Sequence, residues 1–494
     1  MSEINWQQVL GPLLSSKSPE ENDGSNSTEI ANRGVISASE VVELDRATGQ
    51  YSTRAVRLHP TITASDLPFA TEPIPWFARG RWLMDPTCRP GAFLNYAAGD
   101  YYIQDAGSML ALALCDVQPG QWVCDTCAAP GGKSSGLLEQ LRGTGLIVSN
   151  EVIRSRLEIL ELTLARTGHS NYVVANLEVE ALAEMCSDAF DCVIVDAPCT
   201  GQSMVARGKQ SLAAYSAKQI EHSAARQRRI LRAACELVKP GGRLVYSTCT
   251  FAFDENEAII DWFRSEHPAW SPVSDSKLAE WASPDREGCY RLWPHRDHCA
   301  GAFAAALERP GDSPSFDAAT PSLSHCNPQT RPVKSRAHQF IATDVSPQEI
   351  AWLTSTSTSP IRFWKKGSEL HYFASCVPLD WIDSSAKALF AGVPIAELRG
   401  GEWQPSYTSS VASIPELALT SRYEIDDVQA SDYFAGAAIR LTCPLVEPTP
   451  GWNALAWHGR SVAWSKFTGG VLKNHLPKAL RKPNLQLSQE NPGI

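Results

Sequence analysis

The chain has 494 residues, of which 43% are hydrophobic and 20% charged, and its net charge is −10. That length is too great for one compact core and points to about three domains, while the composition excludes a fibrous or disordered chain. No apolar run approaches a membrane span, the opening MSEINWQQVLGPLLSSKSPE lacks the basic-then-apolar pattern of a secretory signal, and 14 cysteines scattered through apolar runs suit a reducing compartment; a cytoplasmic monomer without membrane association is expected.

Charge is uneven along the chain. Residues 1–50 carry eight acids against Lys17, Arg33 and Arg46, whereas Arg460, Lys466, Lys473, Lys478, Arg481 and Lys482 lie in a stretch without an acid. A second basic stretch surrounds Arg226, Arg228, Arg229 and Arg232. Such patches are compatible with a polyanionic partner, and equally with solvated helix faces.

In chain order, residues 15–34 are polar and rich in Gly, Ser and Asn, as in a mobile loop. Strand-like WVCD (122–125) runs into a glycine turn and a helix over 134–143. LIVSN (146–150) is the next strand, followed by a helix over 153–168 that stops at Gly168. YVVA (172–175) and CVIVDAP (192–198) are further strands. A long helix over 216–238 ends at a turn, KPGG (239–242); the strand RLVYSTC (243–249), a helix from Asp254 to about His267 and the strand AGAFAAAL (300–307) complete the pattern. Residues 310–336 read as a linker. Alternating strands and helices predict a mostly parallel, doubly wound α/β sheet whose ligands sit beyond the carboxyl ends of the strands.

The residues with chemical character fall at those ends. Asp125 precedes Cys127-Ala128-Ala129-Pro130-Gly131-Gly132-Lys133, a strand-to-helix turn where glycines allow close approach of a ligand and a helix N-terminus favours a negative group. A phosphate-binding P-loop is disfavoured, because Cys127 stands where a glycine is required and Pro130 lacks a backbone donor. Glu151 follows the second strand, where an acid accepts hydrogen bonds from a ribose. Asp196-Ala-Pro-Cys199 and Ser247-Thr-Cys249 each place a cysteine just past a strand end. A single such cysteine is most often structural; two beside a carboxylate at one crevice suggest a thiolate nucleophile, with the helix from Asp254 as one source of stabilisation. Cys124-x-x-Cys127 has no second pair, and His295, His298 and Cys299 lead into a strand, so no metal is expected.

The motifs DTCAAPGGK, VDAPCTG, LVKPGGRLVYSTCTF and RLWPH…GAF, with YYIQDAGSML (101–110) ahead of them, resemble the RNA (cytosine-5) methyltransferases of the RsmB/NOP/Sun family over about residues 70–308. The tail from Trp464 to Lys478 is similar to the C-terminal PUA-like module of the RsmF type, which acts on 16S ribosomal RNA. The resemblance implies a Rossmann-like methyltransferase domain over 116–309, an N-terminal α+β RNA-binding region over 1–115, and a C-terminal RNA-binding region over 337–494 containing the PUA-like module. It implies S-adenosylmethionine held by Cys127 to Lys133, its ribose by Glu151 and its adenine side by Glu178, with Asn176 as the competing position. It further implies Asp196 between cofactor and base, Cys249 as nucleophile, Cys199 as the thiol assisting release, and RNA, ribosomal or in a 30S subunit, as partner. The family pattern after VDAPCTG is Gly-Glu-Gly-Met; here it is Gly201-Gln202-Ser203-Met204. The alternatives are a tRNA or other RNA methyltransferase, a DNA cytosine-5 methyltransferase, whose nucleophile would be Cys199, and a non-catalytic ribosome-assembly factor that kept the fold.

Overall fold

The structure is a computed structural model that describes residues 4–14, 36–49, 54–283, 286–311, 341–357, 361–378, 390–442 and 446–487. The expected mobile loop and nearly all of the expected linker lie outside the described residues.

The predicted strands assemble into a nine-stranded sheet. Its centre is parallel, in the order Val238–Thr248, Phe190–Asp196, Trp122–Asp125, Leu146–Asn150, Tyr172–Ala175. Trp122–Asp125, Leu146–Asn150 and Tyr172–Ala175 are buried at every position, which is why they read as unbroken apolar runs rather than as alternating ones. Strand order reverses beside Trp122–Asp125: the chain first builds outward to Tyr172–Ala175, then returns to place Phe190–Asp196 on the other side. A crevice opens at such a switch point, and Asp125 and Asp196 end the two strands that flank it. Ala302–Glu308 adds antiparallel to Val238–Thr248.

Local differences from the expected pattern have identifiable causes. KPGG is not a free turn; it is a bulge inside the strand Val238–Thr248, where the register jumps between the pairs Phe190↔Val238 and Cys192↔Arg243, and Gly241 takes φ +73. The second helix begins as a 3₁₀ turn, Arg154–Arg156, and is α-helical over Leu157–Ala165. The helix expected from Asp254 starts at Glu257 after a 3₁₀ turn, Phe253–Glu255.

Ahead of this sheet, four antiparallel strands (Thr71–Pro73, Gly80–Leu83, Ala55–Leu58, Tyr101–Ile103) form a smaller one. Arg57 ties it to the helix Gly132–Gln140. The guanidinium, in a residue 1% exposed, bonds both oxygens of Glu139 at 3.0 and 3.1 Å, the carbonyl of Gly132 at 2.6 Å and Ser135 Oγ at 2.7 Å. Arg79 adds a contact to Glu139 at 2.6 Å.

C-terminally, one five-stranded sheet runs from Ile341–Thr343 to Glu402–Pro405, and a second is built on Gly451–Trp457 and Arg460–Thr468. Phe390–Ala391 leaves this region to pair with Tyr172–Ala175 at the edge of the large sheet. Four of the six basic residues in the acid-free stretch are used inside the molecule. Arg460 pairs with Asp100, Lys482 stands 4.4 Å from the Tyr96 ring centre, Lys466 stands 5.7 Å from the Trp452 ring centre, and Arg481 donates to the Leu476 carbonyl at 3.0 Å. Around Arg226, Arg229 meets Glu178 and Glu180, and Arg232 meets Glu266 while lying over Trp262. Both stretches therefore leave less free positive charge than their composition implies. Among the described residues, no helix is long and apolar enough to cross a membrane.

Removing Arg57 leaves Glu139 buried with only Arg79, and a buried ion stripped of a partner is expensive. Arg57→Ala is expected to lower stability by on the order of 3 kcal/mol in urea melts followed by tryptophan fluorescence. Arg57→Lys should recover only part of this, because an ammonium cannot make the forked contact. An unchanged melt for Arg57→Ala would contradict this role.

Candidate active site

The turn after Trp122–Asp125 is built to bring backbone close to a ligand. Gly131 caps the helix Gly132–Gln140 at φ +107, and a Cβ there would lie 2.8 Å from the Thr163 side chain; a side chain is excluded on both counts. The Ala128 N–H donates to the Asn150 carbonyl at 2.8 Å, fastening the turn to the next strand. Asp125 beneath it is fully buried and accepts from Ser134 Oγ at 2.6 Å. Burial pushes its carboxyl up to about 7, against the opposing pull of the Ser134 hydroxyl.

Glu151 is 3% exposed. One of its oxygens accepts from the Ile153 N–H at 2.8 Å and the other from Arg156 at 3.0 Å. A carboxylate has about four acceptor positions, so two are left for a vicinal diol. Asn176 braces this loop, donating to the carbonyls of Glu151 at 2.6 Å and Val152 at 3.0 Å. Glu178 instead turns outward to Arg229 at 3.4 Å, with its side chain 59% exposed.

The two cysteines meet because their strands are parallel and in register. Asp196 is opposite Ser247, and the pairing continues one step further through the Ala197 N–H and the Ser247 carbonyl at 2.8 Å. Cys199 and Cys249, three and two residues beyond, then place their Sγ atoms 3.4 Å apart. Asp196 accepts from Ser247 Oγ at 2.9 Å and forms an ion pair with Lys133 Nζ at 2.7 Å. Burial presses the Lys133 ammonium toward neutrality, but Asp196 more than offsets this and the group stays charged.

The thiols are pushed in opposite directions. The Cys199 thiol, donating to its neighbour, holds Cys249 below the ordinary thiol value despite burial, with help from Ser203 and Lys133. That same hydrogen bond, with burial, holds Cys199 well above it. Cys249, Lys133 and Ser203 line a cleft together with Asp105, Met204 and Gly301.

Glu255 is a residue that motif reading missed. It is fully buried and accepts from the residue after each cysteine: from the Thr200 N–H at 3.0 Å and hydroxyl at 2.5 Å, and from the Thr250 hydroxyl at 3.2 Å. Gln227 completes its shell at 2.9 Å. The only sequence signal was a run of acids, Asp254-Glu-Asn-Glu257, which reads as an ordinary helix start. Among the described residues, no group of three or more His, Cys, Asp or Glu is placed to hold a metal ion.

Residues 111–308 match the family model described as 16S rRNA methyltransferase RsmB/F, and residues 420–482 match the methyltransferase RsmF PUA domain. The chain therefore carries a methyltransferase domain similar to that of the RsmB/F enzymes. Ribosomal RNA small subunit methyltransferase F of Escherichia coli is 27% identical over 418 residues, spanning 83% of this chain and 84% of that one; the Escherichia fergusonii protein of that name is 28% identical over the same span. In fold, the chain is similar to PH0851 (TM-score 0.51, 24% identity, 58% of this chain and 70% of that one). It is similar also to NSun6 from Pyrococcus horikoshii, solved with SFG (TM-score 0.50, 17% identity, 56% and 95%). The protein is an RNA methyltransferase with S-adenosylmethionine as its methyl donor. The donor set fits that cofactor: a glycine turn for close backbone approach, a buried acid with free acceptor positions for a ribose, and carboxylates near a cationic centre.

Asp125 yields a stability prediction. Its folded-state value lies above that of an unfolded carboxyl, so its contribution is complete below about pH 4 and is lost as the pH rises through about 7. Asp125→Asn should therefore be more stable than the wild type at pH 8.5, by on the order of 2 kcal/mol, and no more stable at pH 4. Calorimetric melts at the two pH values check this; equal differences at both would contradict it.

Proposed function

We propose that the protein methylates carbon 5 of cytosine in RNA, with 16S ribosomal RNA as the substrate, through a covalent bond from Cys249 to carbon 6 of the base. The observation that carries this reading is the thiol pair, 3.4 Å apart, with the Cys249 thiol held below the ordinary value and the Cys199 thiol above it. This bias favours Cys249 over Cys199, the nucleophile a DNA-type mechanism would require.

Cytosine carbon 5 is too weak a nucleophile to act unaided. Addition of Cys249 Sγ to carbon 6 moves the carbon 5–carbon 6 electron pair toward carbon 5. Asp196, held by Ser247 and Lys133, faces the base edge and stabilises the charge that develops. S-adenosylmethionine supplies an electrophilic methyl group to carbon 5. A base then takes the carbon 5 proton, the carbon 6–sulfur bond breaks, and Cys199 donates a hydrogen bond to the departing Cys249 thiolate. The cleft bounded by Asp105, Lys133 and Gly301 receives the base, which must be single-stranded or flipped out.

In this reading Cys127 to Lys133 surround the cofactor and Glu151 takes the ribose diol while keeping Arg156. Glu178 reaches the adenine side only by leaving Arg229; Asn176 already stands against the Glu151 loop. Likeness to the ribosomal RNA methyltransferases over 83% of the chain and the match to an RsmF PUA domain support RNA over DNA.

The test is transfer of a tritiated methyl group to unmodified small-subunit RNA, followed by digestion to nucleosides. Label is expected in 5-methylcytidine, and Cys249→Ala should lower the rate by at least about a thousandfold. Label in another nucleoside overturns the reading, and tight RNA binding with no transfer favours an assembly factor.

A further inference from the structure

The thiol pair also has the geometry of a modification site. The Sγ atoms of Cys199 and Cys249 are 3.4 Å apart. A disulfide needs about 2.05 Å, so the sulfurs must close by about 1.3 Å, shared between two side chains. The main chains that carry them are already tied together. Thr200 and Thr250, the next residues, place their hydroxyls 3.0 Å apart, and both hydroxyls donate to one oxygen of Glu255, at 2.5 and 3.2 Å. The Ser203 N–H adds a third tie, to the Cys249 carbonyl at 3.2 Å.

Access sets this pair apart from the other cysteines. Among the described residues, eight cysteines are buried, while Cys127, Cys199, Cys249 and Cys376 are partly exposed. Cys249 lines the cleft that receives the base, so a molecule far smaller than a base can reach its sulfur. The thiolate is the form that reacts with a peroxide. The hydrogen bond from Cys199 lowers the Cys249 thiol and so favours that form.

We propose that Cys199 and Cys249 are joined by a reversible disulfide when the protein meets hydrogen peroxide, and that the bond shuts off methyl transfer until a dithiol reduces it. Cys249 Sγ attacks one peroxide oxygen and the O–O bond breaks. Cys249 is oxidised to a sulfenic acid, and the other oxygen leaves as water. Cys199 Sγ then attacks Cys249 Sγ, the sulfur–oxygen bond breaks, and a second water leaves. In sum, two thiols and one hydrogen peroxide give one disulfide and two waters. A sulfenic acid without a neighbouring thiol is oxidised further to a sulfinic acid, which thiols do not restore. At 3.4 Å, Cys199 intercepts it first. The loss of methyl transfer rests on the roles given to the two thiols above; the linkage itself does not.

The test reads the bond and the activity separately. The full-length protein is treated with a small excess of hydrogen peroxide, capped with iodoacetamide and digested with trypsin without reductant. Peptides 167–207 and 244–264, which carry Cys199 and Cys249, are expected joined and about 2 Da lighter than their sum. Fragmentation places the link at Cys199, because the first peptide also holds Cys186 and Cys192. Methyl transfer should fall below about one tenth and return with dithiothreitol. In Cys199→Ala, Cys249 should instead gain two oxygens and keep them after dithiothreitol. Wild-type protein with oxygen added to Cys249 and no joined peptides would overturn the proposal, as would two thiols that both remain open to alkylation. Methyl transfer by Cys249→Ala would overturn the nucleophile assignment instead and leave the linkage standing.

Discussion

A single buried carboxylate organises the chemistry of this molecule. Glu255 accepts hydrogen bonds from Thr200 and from Thr250, the residues that follow the two cysteines. Two loops leaving neighbouring parallel strands are thereby held at one spacing. Burial opposes the charge on Glu255 and its carboxyl is held above the ordinary value, but four donors meet it, from Thr200, Thr250 and Gln227. Without this anchor, the in-register pairing of Asp196 with Ser247 would bring the strand ends together while leaving the thiols free to part. With it, the sulfur atoms stay 3.4 Å apart and one thiol can donate to the other.

The same division recurs at larger scale, with buried polar contacts fixing what the apolar core leaves adjustable. The large sheet supplies the crevice. Arg57 and Glu139 then join the small N-terminal sheet to the helix that opens at Gly132, and Arg57 bonds the Gly132 carbonyl itself. At the other end, Arg460 with Asp100 and Lys482 with Tyr96 bind the C-terminal region to the N-terminal one. The regions on either side of the methyltransferase domain are therefore in contact with each other, and Arg57 sets the N-terminal one against the turn at Gly132.

Much of the fold was legible because the central strands are buried on both faces and so appear as short apolar runs between helices. The glycine turn and the position of both cysteines past strand ends were legible because each directly follows an apolar strand run. What was not legible depends on long-range partners. KPGG has the composition of a turn, and only pairing with Phe190 to Cys192 makes it a bulge within a strand. Arg460 and Lys482 look like phosphate ligands until Asp100 and Tyr96, distant in sequence, are placed beside them. Glu255 is a common residue whose place follows from burial and from its bonds to Thr200 and Thr250, and Phe390–Ala391 is too short a segment to announce itself as an edge strand.

The central claim is that Cys249, and not Cys199, attacks the base. The most direct measurement uses RNA in which cytosine is replaced by 5-fluorocytosine, so that the proton normally lost from carbon 5 is absent and the enzyme stays attached. After incubation with S-adenosylmethionine, adducts are resolved on denaturing gels. The wild type and Cys199→Ala should form a covalent protein–RNA species and Cys249→Ala should form none. An adduct with Cys249→Ala but not with Cys199→Ala would contradict the account.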